Sequence, residues 1–158
     1  MRRQPSVVQP AAKSLPGDTV EAIQRALGAE HAAIWVYGLV SAFLPAVYDL
    51  PINEGATAHR ARRDAVARLL GAADVEPAPP EPAYVPPKPV TDQATALAIL
   101  VTAEQDATVA WRATLERTDD VDVRKTAMEA LTATAVRATR WRKAAGVTPL
   151  TLALPGTP

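Results

Sequence analysis

Glu30, His59 and Glu104 are the residues in this chain whose types and placement can do chemistry. Glu30 and Glu104 each fall on an apolar seam of helical period, and His59 lies on what should be a core face, where an ionisable group is costly unless it is paired. Two carboxylates and one imidazole suffice to hold a single divalent ion, iron or manganese, with water in the open positions. His31 and Tyr37 stand close to Glu30 in sequence. Arg62 and Arg63 follow His59 by three and four residues, on or beside the same helical face, and guanidinium is the natural bidentate partner of a buried carboxylate. Three arrangements are therefore open: a metal site of Glu30, His59 and Glu104; a metal-free charge network drawing on Arg62, Arg63 and His31; or separate, solvated groups.

The elements that must bring these residues together are helical. Asp18, with Glu21 three residues on, reads as the N-cap of a first helix whose seam runs Ile23, Leu27, Glu30, Ile34, Tyr37, Ser41, Leu44 and Tyr48, with a kink expected at Pro45. Gly38 on this helix is the kind of residue that permits close backbone approach. A turn over Asp49 to Asn53 leads to a second helix from Glu54 to Leu70, with Gly71 as its C-cap candidate. Ala56, His59, Arg62, Arg63 and Val66 give that helix an unusually polar inner face, and Arg60 and Asp64 read as an ordinary surface pair. A third helix, capped by Thr91 or Asp92, carries Leu97, Leu100 or Val101, Glu104, Thr108, Trp111 and Leu115 on its seam. After a turn at Thr118 to Asp120, a fourth carries Met128, Leu131, Ala135, Ala138 and Trp141 and stops at Gly146. Arg137, Arg140, Arg142 and Lys143 crowd its end, where the helix dipole favours cations, and read as capping and solvation. Trp35, Trp111 and Trp141 are expected as large core or interface anchors.

Between the two helical pairs lies Asp74 to Asp92, DVEPAPPEPAYVPPKPVTD, with seven of the 15 prolines of the chain. No helix or central strand runs through such a segment. First and third helices of about 28 to 31 residues would be ~42 to 46 Å long, and about 17 linker residues in polyproline II would span ~53 Å. The linker is thus long enough to cross the bundle from end to end. That predicts an all-α four-helix bundle of two antiparallel hairpins joined by a long crossover, rather than a simple up-and-down bundle, and sets Glu30 and Glu104 at similar depth. The domain expected is one bundle over residues 18–147 with its crossover at 74–91. It is flanked by a flexible arm over 1–17 and an extended tail over 148–158, whose Leu150, Leu152 and Leu154 should dock on the bundle or on a partner chain.

The runs AEHAAIWVYGLV at Ala29 to Val40, HRARRDAV at His59 to Val66, PVTD at Pro89 to Asp92 and AVRATRWRKAAG at Ala135 to Gly146 resemble an actinobacterial ferritin-like domain family of uncharacterised function. The resemblance covers residues 18–156 and implies a ferritin-like four-helix bundle. Dinuclear carboxylate proteins of that plan use one Glu from each of two helices and a Glu-x-x-His from each of the other two. Glu30 and Glu104 match the single glutamates. His59, however, has Ala56 three residues before it, and Glu129 on the fourth helix is followed by Thr132, so a complete dinuclear site is not expected.

Composition narrows the function classes. With 17 basic and 17 acidic residues the chain has no net charge, so nothing draws it as a whole to nucleic acid or an anionic membrane. Zero cysteines exclude disulfides and thiolate sites. Residues 5–13 lack the apolar core of a signal peptide, and a cytoplasmic location is expected. No glycine-rich phosphate loop or zinc-protease motif is present. The sequence thus points to a degenerate ferritin-like bundle acting as a non-catalytic structural or interaction module. It is expected as a homodimer without cofactor, the alternative being a metal-binding or redox protein built on Glu30, His59 and Glu104.

Overall fold

In the computed structural model, which describes residues 14–157, the chain forms four helices of 24 residues each: α1 (Gly17–Val40), α2 (Asp49–Ala72), α3 (Gln93–Glu116) and α4 (Val121–Ala144). No strand occurs among the described residues, and none of their helices is long and apolar enough to cross a membrane. The arm expected over residues 1–17 lies, up to residue 13, outside the described residues.

Each helix is ~36 Å long; α1 and α3 are shorter than the about 28 to 31 residues expected of them, and α2 is longer than its expected Glu54 to Leu70. The first ends at Val40 rather than Tyr48, because Pro45 does not kink a continuing helix. It precedes a separate 3₁₀ turn, Ala46–Tyr48, with φ of −67° and an extended ψ of 158°. Helix α2 then begins at Asp49 instead of Glu54, and Asn53 is not its cap. Pro51 is accommodated in the first turn, where a backbone N–H has no intrahelical acceptor to lose. Asp18 does not cap α1 either; the helix starts one residue earlier, and Asp18 Oδ1 accepts from the adjacent Thr19 N. Asp92 does cap α3, reciprocally with Thr95, and Asp120 caps α4 by accepting from Asp122 N and Val123 N. Both C-termini that lead into long segments close in the same manner. Val75 N donates to Leu70 O around Asp74 (φ 57°), and Val147 N donates to Arg142 O around Gly146 (φ 67°). Asp74, rather than Gly71, takes the left-handed position, which Asp tolerates better than most residues.

Side-chain contacts fix the topology. Thr114 Oγ1 donates to Ala22 O and Thr19 Oγ1 to Arg117 O, so α1 and α3 run antiparallel as neighbours. Helix α2 returns along α1, and α4 along α3. The crossover lies along α1 on the way: Gln24 holds Glu76 O and Ala78 N, His31 Nε2 meets Ala78 O, and Trp35 packs on Tyr84 at 5.7 Å between ring centroids. Two antiparallel hairpins joined by one long crossover are thus the observed connectivity.

Three edges of the bundle, α1–α2, α1–α3 and α3–α4, bring backbones together, whereas α2 and α4 stay apart. Two apolar clusters divide the core. One, around Ile23, Leu27, Leu70 and Trp111, lies toward the start of α1; the other, around Val40, Ile52, Leu100 and Trp141, lies toward its end. The inner face of α4 is one residue out of phase with the sequence reading at its start. Ala127, Ala130 and Thr134 are buried, while Met128 is exposed and Leu131 and Ala135 are only half-buried. Small residues face in because α3 and α4 approach closely, and the larger ones are left on an outer groove.

Candidate functional site

Glu30, His59 and Glu104 meet between the two apolar clusters, and none of the three has any exposed surface. His59 stands between the glutamates. Its Nδ1 is 2.6 Å from Glu30 Oε2 and its Nε2 is 3.1 Å from Glu104 Oε1. The long-range reasoning that set the two glutamates at similar depth is what the antiparallel packing of α1 and α3 delivers.

The groups around them are donors. Glu30 Oε1 accepts from Arg62 Nη1 at 3.1 Å and from the Trp111 indole N–H at 2.6 Å. Glu104 Oε1 accepts from the Tyr37 hydroxyl at 2.5 Å and from Arg137 Nε at 3.1 Å. Tyr37 in turn accepts from the Trp141 indole at 2.8 Å. Tyr37 reaches the centre because position 55 is glycine, where a Cβ would overlap the tyrosine ring. The close approach expected at Gly38 does not occur, since nothing lies near it. Three of the four carboxylate oxygens are therefore bonded. Glu104 Oε2 and Arg137 Nη2 are buried without a hydrogen-bond partner among the described residues.

Protonation follows from these contacts. Burial pushes the Glu30 carboxyl up, but the hydrogen bond and charge of His59, then Arg62 and Trp111, outweigh it and hold the group below its ordinary range. Burial pushes His59 down, yet its bonds to Glu104 and Glu30 and their charges prevail and raise it, so the imidazolium donates from both ring nitrogens. The Tyr37 hydroxyl is pushed far up, by burial first and by the Glu104 carboxylate second, and stays a donor.

Of the arginines and histidines named from sequence, Arg62 joins this cluster. Arg63 points outward to Asp64, displacing the expected Arg60 pairing, and His31 serves the crossover. Arg137 and the two indoles escaped sequence reading. Arg137 sits among other basic residues at a helix end and reads as solvation; its spacing of four before Trp141, on the inner face, is the signal that separates it. Trp111 and Trp141 are core anchors that also spend their N–H groups on the cluster. Glu129, the remaining carboxylate considered on α4, is exposed.

Residues 22–158 match the family described as a domain of unknown function, DUF4439. The chain belongs to this family. A search of curated proteins finds no match. Among solved structures, a conserved hypothetical protein, rv2844, from Mycobacterium tuberculosis is similar at 37% identity and a TM-score of 0.80, over 83% of this chain and 99% of that one.

Proposed function

We propose that this DUF4439 domain is a ferritin-like bundle working as a non-catalytic structural or interaction module, its centre held by a set of opposed charges where related plans hold metal. The observation that carries the reading is the position of His59, bonded through both ring nitrogens to two buried carboxylates that are themselves met by Arg62 and Arg137. Two guanidiniums, an imidazolium and two carboxylates leave no net negative charge to attract a divalent cation, and an imidazole with both nitrogens protonated is no ligand. Buried carboxylates demand such partners, and a network of this kind specifies one packing of four helices without any reaction. The homodimer expected from the sequence belongs to the same proposal, and a monomeric mass at micromolar concentration by sedimentation would remove it.

A second reading keeps one specific support: Glu104 Oε2 is buried with no partner among the described residues, as a ligand oxygen awaiting an ion would be. Glu30, His59 and Glu104 would then hold a single iron or manganese ion, provided that His59 loses a proton. Metal analysis of protein produced with added iron and manganese and purified without chelator separates the two. The expected outcome is no stoichiometric metal. Metal at one ion per chain, lost in Glu30→Ala and Glu104→Ala variants that keep their helix content, would establish the second reading.

A further inference from the structure

The C-terminal tail does not lie flat as an extended strand but bows over the outer groove of α3 and α4. It is fixed at both ends. Arg142 Nε donates to Pro149 O at 2.7 Å, and Arg112 Nη1 donates to Pro155 O at 3.3 Å. Gly156 presses so closely on Thr108 O and Arg112 that a side chain there would collide with both. Between these fixed points the chain stands off the helices and borders a half-open cavity of about 690 Å³. Val109, Leu131, Ala135 and Val136 form its floor, and Leu150 and Leu152 its roof.

Among the residues lining this cavity one is ionisable, Arg142. The residue is only 9% exposed, and its one side-chain hydrogen bond among the described residues is the Nε contact to Pro149 O. No carboxylate reaches it among the described residues; the acidic partners of the other arginines are all engaged elsewhere. Its two Nη groups carry no hydrogen bond among the described residues, so a carboxylate entering the cavity would meet an unengaged guanidinium fork. The volume falls within the range of small-molecule sites, and an apolar wall with one placed charge is the usual composition of such sites.

We propose that this cavity binds a small amphipathic carboxylate, its aliphatic chain held between α3, α4 and the tail and its headgroup paired with Arg142. The site is independent of the central charge network and of any metal there.

Calorimetric titration of the full chain with dodecanoate and with dodecanol, both below their aggregation limits, tests it. Dodecanoate binds at least tenfold more tightly than the alcohol, and Arg142→Gln abolishes that difference while helix content is retained. Ala135→Phe, which fills the floor of the cavity, weakens dodecanoate binding at least tenfold. Equal affinity of acid and alcohol for the unaltered chain would overturn the proposal without recourse to any variant, as would the absence of saturable binding at millimolar dodecanoate. Binding unchanged in Ala135→Phe would place the ligand elsewhere. A change of oligomeric state in that variant without ligand would assign the groove to a second copy of the chain and equally overturn the proposal.

Discussion

Arg137 and Arg142 lie five residues apart on α4, and their surroundings are opposite. Arg137 turns into the bundle and meets Glu104, which also receives His59 and Tyr37. Arg142 donates instead to a backbone carbonyl beside an apolar cavity. Five residues turn the helix by ~500°, so the two side chains leave it some 140° apart, one toward α1 and α2 and the other toward the tail. At the centre the cations are answered by protein carboxylates, with Glu104 Oε2 and Arg137 Nη2 the two buried atoms left without a hydrogen bond among the described residues. At the tail the cation is not answered, and the site is complete only with something added. One helix can thus carry a structural charge and a recognition charge, distinguished by what faces each.

The contrast is sharpest in stability. Glu30→Ala strands His59 and Arg62 in the core and should cost ~3–5 kcal/mol, the usual penalty for breaking a buried charge set. Arg142→Gln strands no carboxylate and gives up about one hydrogen bond, ~1 kcal/mol. Urea unfolding of both variants measures the gap; equal losses would mean that Arg142 also serves the fold and would break the comparison.

The pH profile is the next largest effect. Glu30 is lowered from 4.5, so its contribution is present above that value and is lost as pH falls through the native pKa. His59 is raised from 6.5, so its contribution is full below that value and is lost as pH rises through the native pKa. Stability should therefore be greatest between about pH 4.5 and 6.5 and decline on both sides. His59→Gln should flatten the alkaline decline specifically; an unchanged alkaline limb would show that the titrating group lies outside the network. The smallest effect is expected at Arg63, whose partner Asp64 lies on the surface. Arg63→Ala should leave the unfolding midpoint where it is, and a clear shift would show that Arg63 reaches the centre in solution.

The fold was legible because its two strongest signals are global. Helical periodicity and a proline segment longer than a helix leave few connectivities, and Glu30 and Glu104 stood out as carboxylates on apolar seams, with His59 on the unusually polar inner face of α2. Element ends were less legible. Pro45 and Pro51 each mark irregularity without saying whether a helix bends, stops or starts, and only the 3₁₀ turn between them decides it. Arg137 was hidden by its basic neighbours, since a run of cations at a helix terminus has a sufficient explanation in the dipole. The α4 phase was misread because large residues are ordinarily the buried ones. Here Ala127, Ala130 and Thr134 face in, and Met128 and Leu131 mark a second, outer surface. The cavity over that surface depends on where the tail lands, which no local pattern encodes.

The crossover has one more consequence, and it belongs to the unfolded chain. The strap that runs along α1 past Gln24, His31 and Trp35 makes few contacts for its length. A flexible segment so long would lose much freedom on being drawn along the bundle. Seven prolines have already removed most of that freedom before folding begins, so little remains to be lost when the strap is laid down. Its rigidity, more than its adhesion, is what makes this order of helices accessible to the sequence.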